Sequence, residues 1–132
     1  MPAVNDDPIQ AAKAVVAAHE AAVRDRNLPA IIANAADDVV ALIPNTPLVV
    51  GKEALRAVYE QLLAMGNWDL RHDYASAIIA GDLVILDGIA RGTLAPPGGH
   101  ANTFANNFML TFKRQTDGRY RFWRVAFAPA DT

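Results

Sequence analysis

The chain contains no cysteine. That removes disulfides, thiolate nucleophiles and cysteine-ligated metal clusters together, and it suits a reducing cytoplasm, where we expect the protein. An excess of charge of either sign is also missing, with 12 Lys and Arg against 14 Asp and Glu and a formal net charge of −2. Without a basic stripe, no nucleic-acid partner is expected. No uncharged apolar run approaches the ~20 residues that span a bilayer, so no membrane partner is expected either. The opening "MPAVNDDPIQ" is acidic and polar and lacks the basic-then-apolar order of a secretory signal. Repeats, low-complexity linkers and breaks in composition are absent, and 1–132 reads as a single domain. Apolar residues, in contrast, make up 52% of the chain. In a domain of this size such a fraction goes into a core, a ligand cavity or a subunit interface.

Periodicity divides the chain in two. Asp7 is placed to cap a first helix, Pro8 suits its first position, and Gln10 sits where a capping-box partner would reach back. Ile9, Ala12, Val16, His19 and Val23 then recur at helical spacing. "LPAIIANAA" reads as a short second helix, "DD" at 37–38 as the turn after it, and "VVALIP" as a strand stopped by Pro44. "GKEALRAVYEQLLAMG" reads as a third helix ending at Gly66, with Leu55, Val58, Tyr59 and Leu62 on one side. After Gly66 the period becomes 2. "NWDLRHDYASAII" puts Trp68, Leu70, His72, Tyr74, Ser76 and Ile78 on one face. "DLVILDGIARGTL" follows a tight "AGD" turn. "TFANNFMLTFKR" aligns Phe104, Asn106, Phe108, Leu110 and Phe112, and "YRFWRVAFA" aligns Trp123, Val125 and Phe127. Helices followed by an antiparallel meander predict an α+β domain with a curved sheet wrapped around a helix.

Two blocks, "AVVAAHEAAVRDRNLPAIIANAADDVVALIP" and "VGKEALRAVYEQLL", resemble the ketosteroid isomerase and SnoaL-like group of the NTF2-like superfamily. The strand-rich remainder completes the pattern over nearly the whole chain. The resemblance implies a cone, with N-terminal helices packed in a curved, mostly antiparallel sheet around an apolar cavity. It also implies a small apolar ligand, no cofactor, and a homodimer formed through the sheet. The activities of such a group include isomerases, cyclases and hydrolases, beside domains that only bind or assemble, so the fold leaves function open. Residue by residue, the isomerase base falls on Ile43, its protonated acid on Phe108 and its first-helix tyrosine on His19; Tyr59 alone agrees. Isoleucine and phenylalanine exchange no protons, so that mechanism is not expected here.

The remaining polar residues suggest other chemistry. His72 lies on an otherwise apolar strand face, as a general base or as a histidine packed in a dimer interface, with Tyr74 about 7 Å along the strand. Asp87 interrupts "LVILDGIA", where a carboxylate must be paired, exposed or working. By the resemblance it points into the cone with Ile85, Ile89 and Arg91, as an acid–base group; the alternative is an outward acid in an ion pair. Direct pairing with Arg91 is disfavoured, since strand geometry separates their Cα atoms by about 13 Å. His19 is either a hydrogen-bond partner for a ligand or a satisfied structural histidine. Asn106 either orients a polar ligand atom or is satisfied within the protein. Phe104, Phe108, Trp123 and Phe127 are expected to line the cone. Gly88, Ala90 and Gly92 form a small-residue face that would permit close sheet–sheet or subunit contact. His19, His72 and His100 show no metal-ligand spacing, and no metal is expected.

Overall fold

A computed structural model describes residues 7–130. Asp7 caps α1 (Pro8–Arg24), its Oδ1 accepting from the amides of Ile9 at 3.0 Å and Gln10 at 3.4 Å. These bonds satisfy amides that the first helical turn cannot pair. Asn27 caps α2 (Leu28–Ala33) in the same way through Ala30. The strands β1 (Ala35–Leu42) and β2 (Val49–Val50) follow, then α3 (Lys52–Ala64). Four long strands complete the chain: β3 (Asn67–Ala80), β4 (Leu83–Ala95), β5 (Asn102–Arg114) and β6 (Tyr120–Pro129).

The six strands form one mixed sheet in the order β2-β1-β6-β5-β4-β3, with β1 and β6 parallel and every other pair antiparallel. The helices cover one face. Ala12, Val16 and Val23 of α1 and Ile31 and Ile32 of α2 pack against Val84, Leu86, Phe108, Leu110 and Phe112. Burying each Val, Leu, Ile or Phe side chain among these contributes about 1.5–3 kcal/mol, which makes the covered face the energetic centre of the fold. The result is the α+β architecture that the periodicity predicts, with the helices packed in a curved sheet as the resemblance implies.

Two glycines allow the sheet to curl. A Cβ at Gly88 would collide with the carbonyl of Asp73, and one at Gly92 with the carbonyl of Asp69 and the Phe104 ring. Both face inward beside Ala90, so this small-residue face permits the close approach of β3 to β4 and the curvature of the sheet.

Slips in strand register change three expectations. In β3 an extra residue, Ala75, lies between the pairs Tyr74–Gly88 and Ser76–Asp87. Ser76 and Ile78 therefore leave the face they would share with His72, and Ala77 packs inward. In β6 the extra residue is Trp123, between Phe112–Phe122 and Thr111–Arg124. The slip turns Phe122 into the core and Trp123 out. Finally, Asp37 and Asp38 lie within β1, where its pairing with β6 is interrupted, and not in a turn. Both are exposed; Asp37 lies 3.4 Å from Lys52 and Asp38 accepts from the Trp123 indole at 3.1 Å.

Candidate functional site

The inner face of the sheet and the helices above it enclose a cavity of about 170 Å³. Its walls are mostly hydrocarbon: Val23, Ile43, Leu62, Leu63, Trp68, Leu70, Phe104 and Phe127. The polar side chains on its lining are His19, Tyr59, His72 and Asn106. A smaller void of about 40 Å³ shares His19, Ile43, Tyr59, His72 and Phe127 with it. Trp68 closes one side by donating its indole N–H to the Leu62 carbonyl at 2.7 Å. That bond satisfies the one polar atom of a large ring and fixes the ring against α3.

Two adjacent residues of α1, His19 and Glu20, each meet a side chain of another element. Glu20 Oε2 lies 2.8 Å from His72 Nδ1. The His72 side chain is only 3% exposed and its ring stands edge-on to Phe108 at 5.1 Å. A carboxylate at Nδ1 holds the proton on that nitrogen and leaves Nε2 as the ring's other functional atom. His19 meets Tyr59 instead, with Nε2 3.2 Å from the phenolic oxygen. Its ring packs edge-on against Tyr59 and Phe122. Burial, reinforced by the nearby His72, pushes the His19 pKa down to about 4, so the ring is neutral at pH 7. Burial also raises the Tyr59 pKa, which keeps its hydroxyl protonated.

The structure thus brings together His19, Tyr59, His72, Asn106 and Phe127 of the residues singled out by sequence. Phe108 lies buried behind His72. Tyr74 is on the same face but off the cavity, 6.0 Å from Phe108 and beneath the Lys13 ammonium. Its pKa is raised to about 12 by burial and by the charge of Glu20. Ile43 stands on the cavity wall, so hydrocarbon occupies the position where the resemblance would put a base.

Three residues are elsewhere. Asp87 does not enter the cone, because the inward positions of β4 are Val84, Leu86 and Ala90. Its carboxylate accepts from the Ser76 hydroxyl at 2.8 Å on the outer face. Arg91 is outward as well, 3.4 Å from Asp73, beside a surface depression that it lines with Arg71, Thr93 and Thr103. Trp123 lies outside, with the Lys113 ammonium and the Arg124 guanidinium over its ring at 4.9 and 4.1 Å from the ring centre. The resemblance implied the inward reading of Asp87; the strand's own alternation, followed from buried Val84, places it outward. Glu20 is the residue that sequence reasoning missed. The signal available was its position four residues after Val16, at the border of the apolar stripe, but its partner lies on a strand 52 residues later. Among the described residues, no group of three or more His, Asp or Glu is placed to hold a metal ion, and no helix is long and apolar enough to cross a membrane.

A helix-filled, curled six-stranded sheet around such a cavity defines the class as NTF2-like. The model of the SnoaL-like domain matches residues 15–123, and the chain belongs to that family. A ketosteroid isomerase-like protein from Erwinia carotovora atroseptica superposes with a TM-score of 0.85 at 20% identity, covering 96% of this chain and 99% of that one. An NTF2-like protein of unknown function from Pseudomonas putida gives a TM-score of 0.72 at 26% identity, covering 93% and 87%. An NTF2-like superfamily protein from Salmonella enterica gives 0.79 at 11%, covering 93% and 92%. The first and last of these likenesses are evidence of fold alone. Comparison with curated proteins finds no match.

Proposed function

We propose that this protein binds a compact apolar molecule in the inner cavity and transfers a proton to or from it through His72, without a cofactor. The observation that carries the reading is the 2.8 Å contact between Glu20 and His72 on the wall of an apolar cavity. With Nδ1–H donated to the carboxylate, the Nε2 lone pair can accept a proton from a ligand. Glu20 holds the tautomer and faces the positive charge that then develops on the ring, the logic of a carboxylate–histidine pair. A cavity of about 170 Å³ suits a molecule of about one ring, because apolar cavities of roughly this size take up benzene. The reactions open to such a base are isomerisation, ring closure and hydrolysis of a small carbonyl-bearing or cyclic compound.

The reading is tested with cyclohexanone in heavy water, following α-deuterium exchange by NMR. The wild-type protein is expected to accelerate exchange above buffer, and His72→Gln to lower the protein-dependent rate by about 100-fold or more. Glu20→Gln, which keeps a group at Nδ1 but removes its charge, is expected to fall between the two. Exchange unaffected by His72→Gln would eliminate the base assignment. Binding of the ketone without exchange would favour a purely ligand-binding domain, for which the hydrocarbon at Ile43 and the aromatic ring at Phe108 already speak.

We also propose a homodimer in the cytoplasm, formed through the outer face of the sheet. Ile78 and Met109 are each 53% exposed there, and Ile85 and Ile89 lie half-buried on the same face. Association would remove this apolar surface from water.

A further inference from the structure

Among the described residues, one buried side-chain polar atom has no hydrogen-bond partner: His19 Nδ1. Its other nitrogen faces the Tyr59 hydroxyl at 3.2 Å. A neutral ring carries one proton, and the two tautomers differ in where they leave an unpaired donor. With the proton on Nδ1, an N–H is sealed inside protein with no acceptor, which native structures avoid. With the proton on Nε2, that N–H donates to the Tyr59 oxygen and the sealed atom carries only a lone pair, the less costly group to leave unpaired. The Tyr59 O–H is then free, and Tyr59 lines the cavity.

We propose that Tyr59 is the donor that selects the ligand, held in that role by His19 Nε2–H as a positioning residue. The cavity then prefers a ring that bears an accepting oxygen, a ketone or ether, over a hydrocarbon of the same shape. The proposal deepens the proton-transfer reading and rests on the same cavity, but it concerns recognition and does not require His72 to act. Burial supports it from both sides: His19 stays neutral at pH 7, and Tyr59 keeps its proton. His72 and Asn106 complete the polar lining. His72 Nδ1 is engaged by Glu20, which leaves the Tyr59 hydroxyl and the Asn106 amide as the lining groups that can donate toward a carbonyl without losing an existing bond; Tyr59 is the one held in place by a neighbour, His19.

Two measurements test it. Nitrogen-15 NMR of the histidines at about pH 7 reads the tautomer directly, since His19 is neutral there. The proposal expects the His19 proton on Nε2, and a proton on Nδ1 overturns it. Binding of cyclohexanone and methylenecyclohexane is then compared by NMR titration. The wild-type protein is expected to prefer the ketone by about five- to tenfold. Tyr59→Phe is expected to abolish that preference by weakening the ketone alone. His19→Gln, which restores an amide donor near the former Nε2, is expected to retain more of it than His19→Leu. Equal binding of both probes to the wild type, binding of neither, or a preference unchanged in Tyr59→Phe overturns the proposal. α-Deuterium exchange of cyclohexanone separates the two readings. Exchange with equal affinities removes the donor role and leaves the base, whereas ketone preference without exchange does the reverse.

Discussion

His19 shows how one buried histidine changes the electrostatics of a cavity. Its pKa is lowered from 6.5 to about 4, first by burial and then by His72. The sign of the effect on stability follows. Below about pH 6.5 the unfolded chain takes up a proton that folded His19 refuses, so the folded state loses about 1.4 kcal/mol per pH unit. The loss stops near pH 4, where folded His19 is protonated too, and totals about 3 kcal/mol. Urea unfolding of wild type and His19→Phe is therefore expected to give a stability difference that is constant above pH 7 and moves by about this amount, against the wild type, between pH 7 and pH 4. A difference that stays flat across the window would show that the ring is hydrated. His19, His72 and Tyr59 were legible as candidates because each interrupts an apolar stripe. Glu20 was not, because its significance arises only when α1 is laid against β3. Asp87 also interrupts an apolar run, yet it is satisfied on the outer face by Ser76. The same pattern of letters marks a cavity group in one strand and a surface group in the next.

At the scale of elements, helix caps and strand periods were readable, and register slips were not. Asp7 and Pro8 announce the first helix because capping is local chemistry. Ala75 and Trp123 carry no comparable mark, and each reverses the faces of the residues beyond it, which is how Trp123 leaves the cone. Gly92 tests the curvature: Gly92→Ala would drive a methyl into the Asp69 carbonyl and the Phe104 ring. Thermal or urea unfolding is expected to show a loss of about 1–3 kcal/mol or more, and an unchanged midpoint would contradict the tight approach of β3 and β4. Arg26 tests the closure of the cone. It takes a left-handed φ of 57° just beyond α1 and donates to the carbonyls of Gly66 at 2.6 Å and Leu63 at 2.7 Å, tying the end of α3 and the start of β3 to the end of α1. Hydrogen bonds to charged groups contribute about 1.5–3 kcal/mol each, less where water competes, so Arg26→Ala is expected to destabilise by about 2 kcal/mol. Recovery of stability with Arg26→Lys would show that charge alone suffices, against the forked geometry described.

For the whole molecule, the cone separates two surfaces of different character. The inner one holds the polar groups that can act on a ligand. The outer one carries Ile78 and Met109 on the proposed dimer face. Sedimentation is expected to give a dimer for the wild type, and Met109→Lys with Ile78→Lys to shift it toward monomer with little loss of fold, since both side chains are already half in water. A wild-type monomer at high concentration would remove the dimer and leave the cavity reading intact. The central claim is that the cavity receives a single-ring molecule against His72. It is tested most directly by a crystal structure of the protein soaked with cyclohexanone. Density for the ring is expected inside the cone, with a carbon next to the carbonyl about 3–3.5 Å from His72 Nε2. Side chains filling the cavity, or the ring bound only outside the cone, would contradict it.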